Sequence, residues 1–522
     1  MKLSQKIKID FLPNELWWGS SNCLGHKMPF SAETELMADF TKNAPNETMP
    51  FFVSNFGRII YTDSLFKVEI SGGFITVESG SEIHFLKEGN TLREGFVAAR
   101  KKYFPLHGKR LNRDFFKTVQ YNTWIECLYH PTQSHVLKYA HSIVDHGFEP
   151  GILMIDEGWH GRYGHWEFDK GAFPNPKAMV DELHSLGFKV LLWVVPCVCP
   201  DGEFFSTKHR ESNELPKNER LFIRRKDDPY MCALAYWWNG YSALLNLANP
   251  ADRKFLDDQL QSLMKNYGID GFKFDGGSVN MYNAFINEPD LDIDAAALNK
   301  AWNEFASKYE YHELKDTFNG AATPTIQRLR DCRHDWYSDD GIKCLIPFSV
   351  AQGLLGHPFI CPDMVGGGEW ACFTEGKKMD GELFVRWAQC SALFPMMQYS
   401  KAPWSCLSNR DCELVLAAGK LHKSLCNEMI EMVERAEKTG EPILRNLEYN
   451  YPHEGYAKIN DEFMLEDSIL AAPVITPNTN KRRVVLPSGI WIADDGTRYV
   501  GGAEYTIDCP IERLIWFRRA QD

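Results

Sequence analysis

The chain of 522 residues contains no uninterrupted apolar run of membrane-spanning length, so no segment reads as a transmembrane helix. Its first residues carry lysines but no apolar stretch of the kind a secretory leader needs, and the chain as written reads as cytoplasmic. No basic run occurs and the net charge is -13, which argues against nucleic acid or an anionic membrane surface as partner. The 14 cysteines are scattered rather than paired at metal-ligand spacing. Cys197-Val198-Cys199 is too close for a zinc pair and has no second pair nearby. Cysteines such as Cys344 and Cys390 sit in apolar strings, as reduced, buried thiols do. No Gly-rich phosphate loop follows the first buried strand. No metal and no cofactor is expected.

What is present is ordinary for a soluble multidomain protein, with 44% hydrophobic and 24% charged residues. The length implies two to four domains. Residues 1–110 show short alternating runs broken by Gly, Asn and Pro, such as Phe66-Lys67-Val68-Glu69-Ile70, and predict an N-terminal β-sandwich closed by a helix over 91–103. Over 111–410, buried strands alternate with helices: 119–124, 152–155, 189–195 and 271–274, then less regular strands near 317–319, 334–338, 358–361 and 393–398. About eight β/α units on this scale predict a (β/α)8 TIM barrel, with a Rossmann-type open sheet as the alternative. An insertion at about 200–242 interrupts the alternation at a strand tip, where barrel loops shape active sites. Residues 411–522 predict a helix and a C-terminal all-β domain.

The chain turns on Gly271-Phe272-Lys273-Phe274-Asp275-Gly276-Gly277. A buried strand here delivers a carboxylate at its tip, and the two glycines leave that carboxylate uncrowded. Lys273 lies two residues earlier and faces the same way, so its charge keeps Asp275 ionised, as a carboxylate nucleophile requires. In a barrel the strand tips gather Asp156, Glu157, Trp159, Trp193, Lys273, Asp275, Asp339, Asp340 and Asp363 on one face. Paired carboxylates with aromatic walls, without a histidine cluster or a nucleophilic serine pattern, point to glycosidic bond chemistry. A general acid is offered by Asp339 or Asp340, where two adjacent acids raise each other's pKa beside an aromatic residue.

These residues resemble glycoside hydrolase family 31, a family of retaining α-glycosidases. The likeness runs from about residue 115 to the end. It is carried by 268–275, by Trp238-Asn239-Gly240-Tyr241-Ser242 through Asn249-Pro250, by Trp336-Tyr337-Ser338-Asp339, by 356–367 and by Leu486-Pro487-Ser488-Gly489-Ile490-Trp491. Ser338 stands where the family has a glycine. The resemblance implies that Asp275 is the nucleophile and Asp339 the acid/base of a double displacement, with the two carboxyl groups roughly 5–5.5 Å apart. Asp156-Glu157-Gly158-Trp159 and Gln398-Tyr399-Ser400 depart from the α-glucosidase pattern and resemble the α-galactosidase branch. The substrate edge implied is Asp156, Glu157, Trp159, Trp193, Lys273, Asp363 and Ser400, with Arg333 chosen over Arg328 and Arg330 as the sugar-binding arginine. The expected function is therefore a retaining exo-α-glycosidase, an α-galactosidase first, acting on an oligosaccharide or glycoside. An α-glucosidase or another α-glycosidase of the same family, such as a sulfosugar hydrolase, and a sugar-binding protein without turnover are the alternatives. A homo-oligomer is left open.

Overall fold

The computed structural model describes residues 3–374 and 376–520; the outermost limits of the expected end domains, Met1, Lys2, Gln521 and Asp522, lie outside the described residues, as does Glu375. The N-terminal part is two facing antiparallel sheets. One orders Gln5–Asp10, Phe74–Ser79, Phe66–Ser71 and Leu36–Asp39, with Gly72 and Gly73 making the hairpin turn. The strand Phe66–Ser71 alternates buried and exposed side chains as its sequence demands. The other sheet is built on Glu47–Ser54, which is buried along its whole length. The helix Leu92–Tyr103 follows, capped by the Thr91 side chain.

The barrel strands are β1 (Gln120–Asn122), β2 (Ile152–Ile155), β3 (Lys189–Val194), β4 (Gly271–Phe274), β5 (Tyr311–Leu314), β6 (Ile326–Arg328), β7 (Ile360–Cys361) and β8 (Gln398–Tyr399). All pair in parallel and in chain order, and β8 returns to pair with β1. At the seam between β7 and β8, the Val365 N–H donates to the Gln398 carbonyl at 2.8 Å. Local signals set the helices between strands. Asn175 caps Pro176–Ser185, Asn249 caps Pro250–Tyr267, and Gly268 ends the latter in the left-handed region. Gly271 is required where β4 passes β5, because a Cβ there would stand 2.0 Å from the Tyr311 carbonyl oxygen.

Two expected barrel strands are corrected. Thr317–Phe318 is a strand, but it pairs in parallel with Glu47 and Thr48 and so extends the N-terminal sheet. Residues 334–338 form a loop, and the sixth strand lies earlier, at Ile326–Arg328. Both true strands carry buried polar side chains, His312 and Glu313 in β5 and Gln327 and Arg328 in β6, which breaks the apolar run that marks a parallel strand in sequence.

The insertion folds as a helix, Glu203–Asn213, and a hairpin, Leu234–Trp237 with Gly240–Leu244, whose second strand pairs with Cys197–Val198 just past β3. After the barrel, helices Asn409–Ser424 and Cys426–Thr439 lead into a six-stranded and a two-stranded sheet. Cys344 and Cys390 are buried and unpaired. Among the described residues, no helix is long and apolar enough to cross a membrane.

Sandwich and barrel are joined by a buried polar cluster. The Glu47 carboxyl accepts from the Gln327 amide at 2.6 Å and from the Asn22 amide. Burial pushes the Glu47 carboxyl well above its usual range, which favours its neutral form. A neutral amide should replace it, because Asn22 Oδ1 is unpaired and can turn to accept. Glu47→Gln is expected to melt within a few degrees of the parent, while Glu47→Ala loses about 1–3 kcal/mol in denaturant titration. Equal stability of the two variants would contradict this account.

Candidate active site

The tips of β2 to β6 surround a cavity of ≈ 210 Å³ lined by Asp156, Glu157, Trp193, Lys273, Asp275, Lys315 and Asp331, with Trp124, Tyr129, Trp238, Glu369 and Trp370 around its rim. A larger hollow of ≈ 530 Å³ lies between sandwich and barrel, but the acids lining it, Asp63, Asp294 and Glu304, are exposed. The smaller cavity is where charge is buried.

Asp275 follows β4 directly. Gly276 and Gly277 both hold φ of +61°, and the Gly276 N–H donates to Asp275 Oδ1 at 2.8 Å. A side chain at Gly277 would strike the Trp302 ring at 2.4 Å, so the turn that frees Asp275 admits only glycine there. Trp193 Nε1 donates to Asp275 Oδ2 at 3.0 Å. Burial alone would raise the Asp275 carboxyl. The ammonium groups of Lys315 and Lys273, with the Trp193 bond, outweigh it and hold Asp275 below its usual range, hence ionised at neutral pH.

Lys315, the residue after β5, is the cation that matters most. Its Nζ lies 2.8 Å from Asp331 Oδ2 and 3.7 Å from Asp275 Oδ2, so one ammonium serves two carboxylates. Burial would lower the pKa of Lys315, but the two acids raise it. Asp331 also accepts from Arg328 Nη1 at 3.0 Å. Against its burial, Lys315 and Arg328 hold its carboxyl well below the usual range.

Lys273, expected to tune Asp275, makes its direct bond elsewhere. Its Nζ donates to Asp156 Oδ2 at 2.6 Å in a fully buried pair. Glu157 accepts from Tyr163 Oη at 2.8 Å, from Trp238 Nε1 at 3.3 Å and from the Asn239 amide, which ties the hairpin tip to the pocket. Burial, with the charges of Asp156 and Asp275, pushes the Glu157 carboxyl up to about 7 against these donors.

Three of the expected site residues stand behind the cavity rather than in it. Trp159 is fully buried, and its indole N–H donates to the Trp193 carbonyl at 2.8 Å, which holds the pocket wall from outside. Ser400 is buried and accepts from the Ile125 N–H at 2.7 Å. Asp363 is buried, bonded to Arg328 at 2.5 Å and to the Cys332 and Gly368 N–H groups at 2.6 Å each. Arg333 points into solvent beside Asp340. Asp339, expected as the acid/base, is exposed and does not line the cavity; its carbonyl accepts from the Cys344 thiol at 2.7 Å. Asp156, Glu157, Trp193, Lys273 and Asp275 are brought together, and Asp331 and Lys315 complete the cluster that sequence reasoning missed. The missed signal was Ile326-Gln327-Arg328 followed by Asp331, a strand tip hidden by its polar residues.

Comparison with known proteins assigns the family. Residues 118–411 match the glycosyl hydrolases family 31 TIM-barrel domain and residues 440–521 the family's C-terminal domain. The chain is 31% identical to the myogenesis-regulating glycosidase of Mus musculus, over 79% of this chain and 57% of that protein. It is 25% identical to alpha-glucosidase 2 of Bacillus thermoamyloliquefaciens, over 74% of this chain and 50% of that protein. The chain thus spans little more than half the length of these curated relatives. A GH31 alpha-xylosidase from a soil metagenome, solved with xylose, shares the fold at a TM-score of 0.80 and 19% identity, covering 99% of this chain and 81% of that one. The chain belongs to glycoside hydrolase family 31.

Because the folded Glu157 binds its proton more tightly than the unfolded chain does, the stability linked to that proton is complete at low pH. It is lost as pH rises from the unfolded carboxyl pKa through about 7. Glu157→Gln cannot ionise. Its melting temperature relative to the parent is therefore expected to climb between pH 5 and pH 8, as read by calorimetry. A difference that stays flat across this window would contradict the assignment.

Proposed function

We propose that this family 31 protein is a retaining exo-α-glycosidase in which Asp275 is the nucleophile and Asp331, in place of the expected Asp339, is the acid/base. The observation that carries the reading is the Lys315 ammonium shared by Asp275 and Asp331 in a cavity with space for little more than one sugar ring. A nucleophile must be ionised, and Asp275 is. Two carboxylates linked through one nitrogen favour the short separation of retaining enzymes over the wider gap that an inverting enzyme leaves for water.

In the first step Asp275 attacks the anomeric carbon. The bond to the leaving oxygen breaks, that oxygen keeps the electron pair, and it takes a proton from Asp331. In the second step Asp331 takes a proton from water, whose oxygen displaces Asp275 from the sugar. Asp331 is ionised in the free site, which suits the second step. A substrate entering between Asp331 and Lys315 parts the pair and excludes water. Both effects raise the Asp331 carboxyl toward the protonated form that the first step needs.

The sugar proposed is an α-galactoside. Asp156, paired with Lys273, and Glu157, pinned by Tyr163 and Asn239, supply acceptors on the cavity side away from Asp331, where an axial hydroxyl can be read. An α-glucoside is the second reading, favoured by the likeness to the Bacillus α-glucosidase. Retention of both carboxylates and their shared cation speaks against a binding protein without turnover, since a site relieved of catalysis has no reason to keep that charge buried.

Two sets of variants test the roles. Asp275→Ala is expected to lose activity on p-nitrophenyl α-galactoside by at least about 10³-fold while folding normally. Asp331→Ala should keep more activity on that activated substrate than on an alkyl glycoside, because nitrophenolate leaves without a proton. Asp339→Ala should match the parent on both. Loss in Asp339→Ala with normal Asp331→Ala would return the role to Asp339. In Lys315→Met both carboxyls lose their cation, so the acidic limb of kcat/KM is expected to move to higher pH; an unmoved limb would refute Lys315 as the source of Asp275 ionisation.

A further inference from the structure

Several large aromatic side chains at and beside the pocket mouth stand in solvent. Trp193, inside the cavity, is 1% exposed, but Trp238 and Trp370 on its rim are 51% and 44% exposed. The hairpin that carries Trp238 at its tip also holds out Tyr236 and Tyr241 at 58% and 52%. These two tyrosines are opposite each other across the strands, with ring centroids 5.3 Å apart. Apolar rings that gain nothing from water need a reason to stay there.

The hairpin is also rigid. Glu157 holds its tip through Trp238 and Asn239. Its back is buried through Trp237, whose Nε1 donates to Ser242 Oγ at 2.9 Å. Its outer strand is held by the Tyr236 N–H to the Ala284 carbonyl at 3.0 Å and by the Ile286 N–H to the Leu234 carbonyl at 2.9 Å. The aromatic face is therefore presented, not left loose. Tyr236 lies two residues before Trp238 on the same hairpin, so the aromatic face runs on from the residue that lines the cavity.

We propose that Trp238 and Trp370 flank the leaving half of the substrate at the pocket mouth, and that Tyr236 and Tyr241 form a platform for the next ring, so that the aglycone is a saccharide of at least two rings. This rests on the glycosidase reading above. Continuity with the cavity through Trp238 is what selects this occupant. A pyranose offers the flat C–H face that stacks on an aromatic ring, while its hydroxyls stay in water at the edge.

The test compares a substrate with an aglycone to one without. For the parent and a Tyr236→Ser/Tyr241→Ser double variant, kcat/KM is measured on α-galactosyl fluoride and raffinose, or on α-glucosyl fluoride and panose, according to which fluoride the parent turns over. The double variant is expected to lose about five- to tenfold on the trisaccharide and less than about twofold on the fluoride. Equal losses on both, or no loss on either, would overturn the platform. Calorimetric titration of each trisaccharide into Asp275→Ala, with and without the double variant, separates the two readings. Binding weakened by the tyrosine changes supports the platform even if the parent turns over neither fluoride. Turnover with unchanged binding overturns the platform and leaves the glycosidase reading standing. A concentration-dependent dimer of the parent that the double variant abolishes would assign the face to a second copy of this chain and overturn the proposal.

Discussion

One ammonium group, that of Lys315, stands between Asp275 and Asp331, and the chemistry of the pocket depends on it. Two carboxylates this near one another repel, and without a shared cation one of them would take up a proton. The cation settles the matter by keeping both ionised. It carries a structural cost, since charges buried at a barrel mouth lose their hydration. The surroundings offset that cost by pairing charges: Lys273 with Asp156, and Arg328 with both Asp331 and Asp363. Removing one member leaves another unpaired, a loss of about 3–5 kcal/mol for a buried pair. The pocket is thus one electrostatic unit rather than a set of independent side chains.

The fold is what makes such a unit affordable in space. Parallel strands bring their C-terminal tips to one face, so residues far apart in sequence meet there: Asp156 after β2, Asp275 after β4, Lys315 after β5 and Asp331 after β6. The register places Lys273 beside Trp193 on one side and Glu313 on the other. Trp159, Asp363 and Ser400 act one layer out, where they fix Trp193, Arg328 and the backbone at Ile125. The N-terminal sandwich reaches in through the strand Thr317–Phe318, which begins two residues past Lys315 and pairs with Glu47 and Thr48. The sandwich thereby anchors the loop that carries the central cation.

The sequence made β2 and β3 legible because they are short apolar runs between capped helices, and β4 because its one charged residue, Lys273, stands between two phenylalanines just before the glycine turn. It marked Asp275 as well: a buried strand, an acid and two glycines leave few readings. The fifth and sixth strands were hidden by polar side chains that the fold buries and pairs, Glu313 with Gln398 and Gln327 with Glu47. With the sixth strand placed late, Asp331 was not among the residues expected at the strand tips, and an unrecognised fifth strand hid Lys315 altogether. The supporting roles of Trp159 and Ser400 were not legible because side-chain direction at a strand tip is set by packing across the barrel, which no single segment encodes. The sequence left open whether the insertion shapes the pocket or forms a surface lobe, and its hairpin reaches the cavity through Trp238.

The most direct measurement is capture of the glycosyl-enzyme. The protein would be treated with a 5-fluoro-α-glycosyl fluoride of the sugar it turns over, digested, and the labelled peptide mapped by mass spectrometry. The account predicts one sugar attached to Asp275 in the parent and none in Asp275→Ala. A label on Asp331 or any other residue, or turnover with inversion and no covalent species, would contradict it.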